Sequence, residues 1–175
     1  MSEEVLLQED CSKCAALCCV ALAFDQSDLF AIDKANGQPC PYLAKGGNCS
    51  IHQNLAARGF GGCVRYSCNG AGQRVVQELF EGRSWQDDRA LLIPMLRCFS
   101  VLGQVHDLLI LLGAAEKLDL PSQRMEKLAR FCRELNPENG WSIEGLETLE
   151  LKRIKGDVQQ FLQSLKPFVS PDTTG

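Results

Sequence analysis

The feature that most constrains this chain is the placement of its cysteines. Eight of ten fall between Cys11 and Cys68, in the order Cys11-x2-Cys14-x3-Cys18-Cys19, then Cys40-Pro41, Cys49-Ser50-Ile51-His52 and Cys63-x2-Tyr66-x-Cys68. The same stretch holds the glycine-rich pieces Lys45-Gly46-Gly47-Asn48 and Arg58-Gly59-Phe60-Gly61-Gly62, and it lacks apolar periodicity. A segment so poor in large apolar side chains cannot offset its own ordering entropy, so it needs covalent or metal cross-links to hold one shape.

The kind of cross-link follows from the compartment. The first residues, MSEEVLLQED, are acidic and have neither the basic start nor the apolar stretch of a secretory signal, which predicts a cytoplasmic protein. Thiols there are kept reduced, so metal ligation is favoured over disulfides. The longest apolar run, Leu108 to Ala115, is shorter than the ~20 residues that cross a bilayer, so no membrane span is expected. A formal charge of −4 gives no basic surface to attract nucleic acid or anionic lipid.

Ligands two or three residues apart on a turn or helix start can point at one ion, and thiolates lose their protons readily to a cation. The expected ligands are Cys11, Cys14, Cys18, Cys19, Cys40, Cys49, Cys63 and Cys68, with Cys11, Cys14, Cys18, Cys63 and Cys68 carrying the most weight. Four thiolates close a zinc site or hold a 4Fe–4S cluster equally well, so the cofactor is read as zinc or iron. Eight can serve two sites, one binuclear site, or one site with spare thiols. Side chains of neighbouring residues diverge on a helix, which argues against Cys18 and Cys19 sharing an ion.

The remaining reactive groups have plainer readings. Cys98 and Cys132 lie on apolar helical faces and are assigned to the core. His106, beside Asp107, reads as a hydrogen-bonded helix histidine. Tyr66 can screen a metal from water, and Trp85 and Trp141 suit packing corners near helix starts. Gly70-Ala71-Gly72 lacks the strand, third glycine and lysine of a phosphate loop. No Ser/His/Asp set or HExxH element is present, and no catalytic residue is assigned.

This arrangement resembles the CxxCxxxCC family of bacterial zinc- or iron-chelating domains, whose pattern continues with CPxL, CxI(H/Y) and paired cysteines near a glycine-rich turn. All eight cysteines match. The stretch Arg58-Gly59-Phe60-x2-Cys63-x2-Tyr66-x-Cys68-x-Gly70-Ala71-Gly72-Gln73-x-Val75 is more similar still to a module that precedes the repeats of some bacterial pentapeptide-repeat proteins. The resemblance covers roughly residues 10 to 115. No array of A(D/N)LxX pentapeptides follows in this chain, so nothing tied to a repeat helix carries over. Because the family accepts Tyr where His52 stands, the resemblance implies a packing or outer-sphere role for His52. Another branch, the flagellin lysine N-methylases, looks like iron–sulfur proteins using S-adenosylmethionine and is similar only in its cysteine frame.

From Gly72 onward apolar residues recur at three- and four-residue spacing, the mark of amphipathic helices. Val76, Leu79 and Phe80 predict a short helix ended by Gly82, and Ser84 with Asp87 resembles a cap for the next. Leu91 to Leu112 predicts a long buried helix that is kinked at Pro94 or begins near Ile93. Met125 to Leu135 predicts another, stopped at Asn136-Pro137-Glu138-Asn139-Gly140, and Ile143 to Leu165 a last one. The expected fold is mainly α: an irregular cysteine-rich metal-binding module (1–70) packed on a helical bundle (71–168), with a disordered tail (169–175). The expected function is metal binding in a structural, sensing or interaction role, with a metal ion and a protein as partners. The alternatives are an iron–sulfur-dependent protein-modifying or redox enzyme and a thiol–disulfide redox protein.

Overall fold

A computed structural model describes residues 7–169. The expected disordered tail therefore lies, but for Val169, outside the described residues, as does the start of the acidic leader. The protein is mainly helical; among the described residues β-structure is confined to isolated bridges at Phe24–Lys34, Ser27–Phe30 and Leu43–Cys49. Two compact units are present, Met1–Gly103 and Gln104–Gly175, and their division falls within the longest helix, well past the change of composition near Gly72.

The first unit is built from short pieces. They are a 3-10 turn at Cys11–Lys13 and the helices α1 (Leu17–Ala21), α2 (Gly61–Arg65) and α3 (Ala71–Arg74), with a 3-10 turn at His52–Asn54 between α1 and α2. Helix α3 widens into a π turn at Val75–Leu79. This replaces the expected α-helix through Val76, Leu79 and Phe80. The stop also comes a residue early: Glu81 already takes the left-handed conformation, at φ 55°, and the Gly82 N–H bonds back to the Val76 carbonyl at 2.8 Å.

Helix α4 (Leu92–Glu116) follows, introduced by a 3-10 turn at Arg89–Leu91. Asp88, not Ser84, caps this 3-10 turn: the Asp88 carboxylate accepts from the Ala90 N–H at 3.0 Å, whereas Ser84 closes a local turn with Gln86. Pro94 falls in the first turn of α4, where no intrahelical N–H is required, so the helix begins anew there instead of kinking. Met95, Phe99 and Leu102 are buried within the first unit, and Cys98 is buried with them. By length and composition α4 is apolar enough to cross a bilayer, although half of its most apolar window is buried in protein.

In the second unit, α5 (Ser122–Leu135) buries Leu128, Phe131 and Leu135. The expected last helix is two: α6 (Ile143–Glu147), capped by the Ser142 hydroxyl, and α7 (Leu151–Gln163). Between them the Thr148 hydroxyl bonds the Glu144 carbonyl and the Leu151 N–H reaches back only to Leu149, which ends the α ladder. Phe131 and Phe161 meet with ring centroids 5.5 Å apart, and His106 and Leu112 are fully buried. Cys132 is half-buried.

Candidate metal centre

None of the ten cysteines is in a disulfide. The eight of the N-terminal frame lie in the first unit, and local backbone structure explains how each is placed.

Cys11 and Cys14 stand at the two ends of the first 3-10 turn, which the Cys14 N–H closes on the Cys11 carbonyl at 3.3 Å. Asp10 caps that turn through the Ser12 N–H. Ala16 then takes a left-handed φ of 52°, an uncommon conformation for a residue with a Cβ. It reverses the chain into α1, which carries Cys18 and Cys19. Trp85 holds this reversal from outside, its indole N–H donating to the Ala15 carbonyl at 2.6 Å in a buried contact.

Cys68 opens a turn whose central residues, Asn69 and Gly70, are both left-handed, at φ 48° and 81°; the Ala71 N–H closes it on the Cys68 carbonyl at 2.9 Å. Asn and Gly are the residues that accept this geometry at least cost. Glutamines strap the first turn to α3 and to the π turn that extends it. Gln73 bonds the backbone at Gln8 and Asp10, and Gln77 donates to the Lys13 carbonyl at 3.0 Å. The Cys14 sulfur packs so tightly against Gly72 that a Cβ there would lie 2.6 Å from it.

Cys40 is tied to α1 by its N–H, which donates to the Cys19 carbonyl at 3.0 Å. Cys49 is brought beside it by the Leu43–Cys49 bridge, flanked by bonds from Ala44 to Asn48 and from Ser50 to Tyr42. Cys63 lies in α2, which is seated by the Gly62 N–H donating to Leu29 and by the Phe30 ring lying over Gly62. Phe30 is in turn stacked on Phe24 at 4.2 Å.

The electrostatics record which thiols are neighbours. The Cys11 thiol is pushed up, first by burial and then by Cys18 and Cys68. Cys14 is pushed up to about 12 by burial, while the Leu17 and Ala16 N–H groups bond its sulfur and pull the other way. Cys18 is raised furthest, by its side-chain bond with Cys19 and then by burial. Cys63 is raised by burial and then by Cys18, Cys40 and Cys49.

A cation stands among them. Lys34 is buried, with its ammonium donating to the Val20 carbonyl at 3.0 Å and to Ala35 at 3.2 Å. Burial lowers its pKa, and Cys40, Cys19, Cys18 and Cys63 oppose that shift. Nothing in the spacing of the sequence singled out Lys34. Nor did it single out Gln73, Gln77 or the close approach at Gly72, because each acts through contacts distant in the chain.

Other flagged residues fall as follows. His52 is exposed on its 3-10 turn, with its backbone N–H on the Cys49 carbonyl at 3.2 Å. Tyr66 is 39% exposed. Trp141 donates to the Leu135 carbonyl at 3.3 Å in the second unit.

A donor set made of thiols fits zinc or iron. Among the described residues, however, no three His, Cys, Asp or Glu side chains stand in an arrangement that closes round an ion. The thiols are close enough to feel one another, and ligation at the ~2.3 Å of a zinc–sulfur bond requires their side chains to turn inward.

No family model matches the chain, and no solved structure matches it. It is similar to the uncharacterized protein YybG of Bacillus subtilis (strain 168), at 35% identity over 170 residues, covering 93% of this chain and 61% of that protein. The chain thus spans less than two thirds of the length of this relative.

Proposed function

We propose that the cysteine-rich part of the first unit binds zinc, iron or an iron–sulfur cluster, and that the bound metal fixes a structural, sensing or interaction surface. The observation that carries this reading is the gathering of eight free thiols by independent backbone devices, with Cys11, Cys14, Cys18 and Cys63 all raised by burial and by neighbouring groups. A cation relieves that crowding, because it converts mutually repelling thiolates into ligands. The resemblance to the CxxCxxxCC domains, and to the module preceding pentapeptide repeats, supports the same reading. In this reading the thiols work in a reducing compartment such as the cytoplasm.

In this reading Cys11, Cys14, Cys18, Cys19, Cys40, Cys49, Cys63 and Cys68 supply the ligands. The Leu17 and Ala16 N–H groups stabilise the Cys14 thiolate, and Lys34 offsets part of the negative charge. A metal bound here supplies cross-links beside the small apolar core of Leu17, Val20, Ile51 and Phe60. A thiol–disulfide activity fits less well, because its nucleophile is a thiolate and the raised Cys14 and Cys18 thiols stay protonated at neutral pH.

Metal removal tests the reading. Under anaerobic conditions a chelator is expected to expose residues 8–70 to limited proteolysis while the helices of the second unit persist. Unchanged protection of that segment in metal-free protein would count against it.

A further inference from the structure

Building on the metal-binding reading, we propose that Lys34 is a positioning residue of the metal centre: its buried ammonium clasps the segment that carries Cys40 to the helix that carries Cys18 and Cys19, and the metal-bound thiolates are the anion that balances its charge.

The clasp is made at the end of α1, whose last three carbonyls all accept from residues 34–40. The Cys19 carbonyl takes the Cys40 N–H at 3.0 Å. The Val20 carbonyl takes both the Lys34 ammonium at 3.0 Å and the Gly37 N–H at 2.9 Å, and the Ala21 carbonyl takes the Asn36 side-chain amide. Lys34 is itself firmly held. Its backbone exchanges two bonds with Phe24, at 2.8 and 3.0 Å, and its ammonium lies 5.6 Å from the centre of the Phe24 ring. The ammonium is thus fixed at the helix end where Cys19 and Cys40 are joined.

These bonds do not balance its charge. Lys34 is 4% exposed, and among the described residues no carboxylate pairs with it. Asp33, its neighbour in the chain, accepts from the Gln26 N–H instead. Of the three donors of an ammonium, two reach carbonyls, those of Val20 and Ala35. A buried charge without a counter-ion is costly, and lysine is seldom buried unless paired. Capping alone does not call for a charge here, because the Gly37 N–H already serves the Val20 carbonyl. Four thiolates around a divalent ion leave a net negative charge. Metal loading therefore supplies the counter-ion, and in metal-free protein the unbalanced ammonium weakens the fold.

The test separates charge from packing in the full chain. Lys34→Met and Lys34→Gln are titrated anaerobically with Co(II) alone, read by thiolate-to-cobalt absorption, and are unfolded in urea without metal. Both are expected to lower Co(II) affinity by about tenfold or more, with the absorption per bound ion unchanged. Without metal, Lys34→Met is expected to unfold at the same urea concentration as wild type or a higher one. Stability and affinity then move in different directions, which loss of a merely structural residue does not produce. Wild-type Co(II) affinity in either variant overturns the proposal. So does a metal-free Lys34→Met that is less stable than wild type or does not fold, because the ammonium is then only a cap of α1. A wild type that binds neither Co(II) nor zinc overturns the metal reading itself, an outcome distinct from these.

Discussion

Substituting Gly72 by alanine sets two effects of known sign against each other. Alanine is favoured over glycine inside a helix by about 1 kcal/mol, so an unobstructed site would be stabilised. Here the new Cβ stands 2.6 Å from the Cys14 sulfur, 3.5 Å from the Cys14 Cβ and 3.6 Å from a Phe99 ring carbon. Non-bonded heavy atoms rest about 3.5–4.0 Å apart, so the sulfur must retreat by about 1 Å. Cysteine has a single side-chain torsion, and the retreat takes Cys14 off its rotamer or into another one. Overpacking of this kind costs about 1–3 kcal/mol, which leaves a net destabilisation of about 0–2 kcal/mol in metal-free protein.

The metal-bound form should suffer more, because the displaced atom is a ligand. Zinc affinity is expected to fall by about tenfold or more, equivalent to about 1.4 kcal/mol or more. Urea unfolding followed by far-UV circular dichroism, with and without zinc, measures the first effect, and competition with a chromophoric chelator measures the second. Gly113→Ala is the control: a Cβ there meets nothing within 4 Å, and it should stabilise α4 by up to about 1 kcal/mol with zinc affinity unchanged. A Gly72→Ala protein as stable as wild type, with unaltered zinc affinity, would refute the placement of Cys14.

Gly62→Ala should be more damaging, because its Cβ would overlap the Phe30 ring; a loss of about 3 kcal/mol or more is expected by urea unfolding. Trp85→Phe removes the donor to the buried Ala15 carbonyl and is expected to cost about 1–3 kcal/mol, seen as a lower unfolding midpoint. Cys98→Ala and Cys132→Ala should leave bound metal per chain unchanged by elemental analysis, since both side chains lie on helices outside the thiol frame. In the second unit Phe161→Ala should cost about 3–5 kcal/mol in thermal unfolding, because Phe161 is buried against Phe131.

Helices α4 and α5 were legible because their apolar residues keep helical spacing without a break. The split between α6 and α7 was not marked in the pattern, because Leu149 follows Leu146 at helical spacing and the helix is ended by the Thr148 hydroxyl on the Glu144 carbonyl and the short bond from Leu151 to Leu149. The cap at Asp88 was harder to read, since Ser84 with Asp87 offers the same chemistry a few residues earlier and only the position of the turn decides between them. The π turn after Arg74 left no mark in the pattern, because one extra residue per turn changes the periodicity too little over so short a segment. The eight thiols were legible as a group from their spacing. How the backbone gathers them was not, because it depends on the strap from Gln73 and Gln77 and on the Cys40 bond to Cys19, all formed between residues far apart in sequence. Lys34 was illegible for the same reason: an isolated lysine in a polar loop looks solvated until the fold buries it.

Elemental analysis and a visible spectrum of the same anaerobically purified sample test the central claim most directly. The account predicts stoichiometric metal that survives gel filtration: zinc without colour, or iron with sulfide and a broad band near ~400 nm. Metal-free protein whose eight N-terminal thiols all titrate freely in the folded state would contradict it.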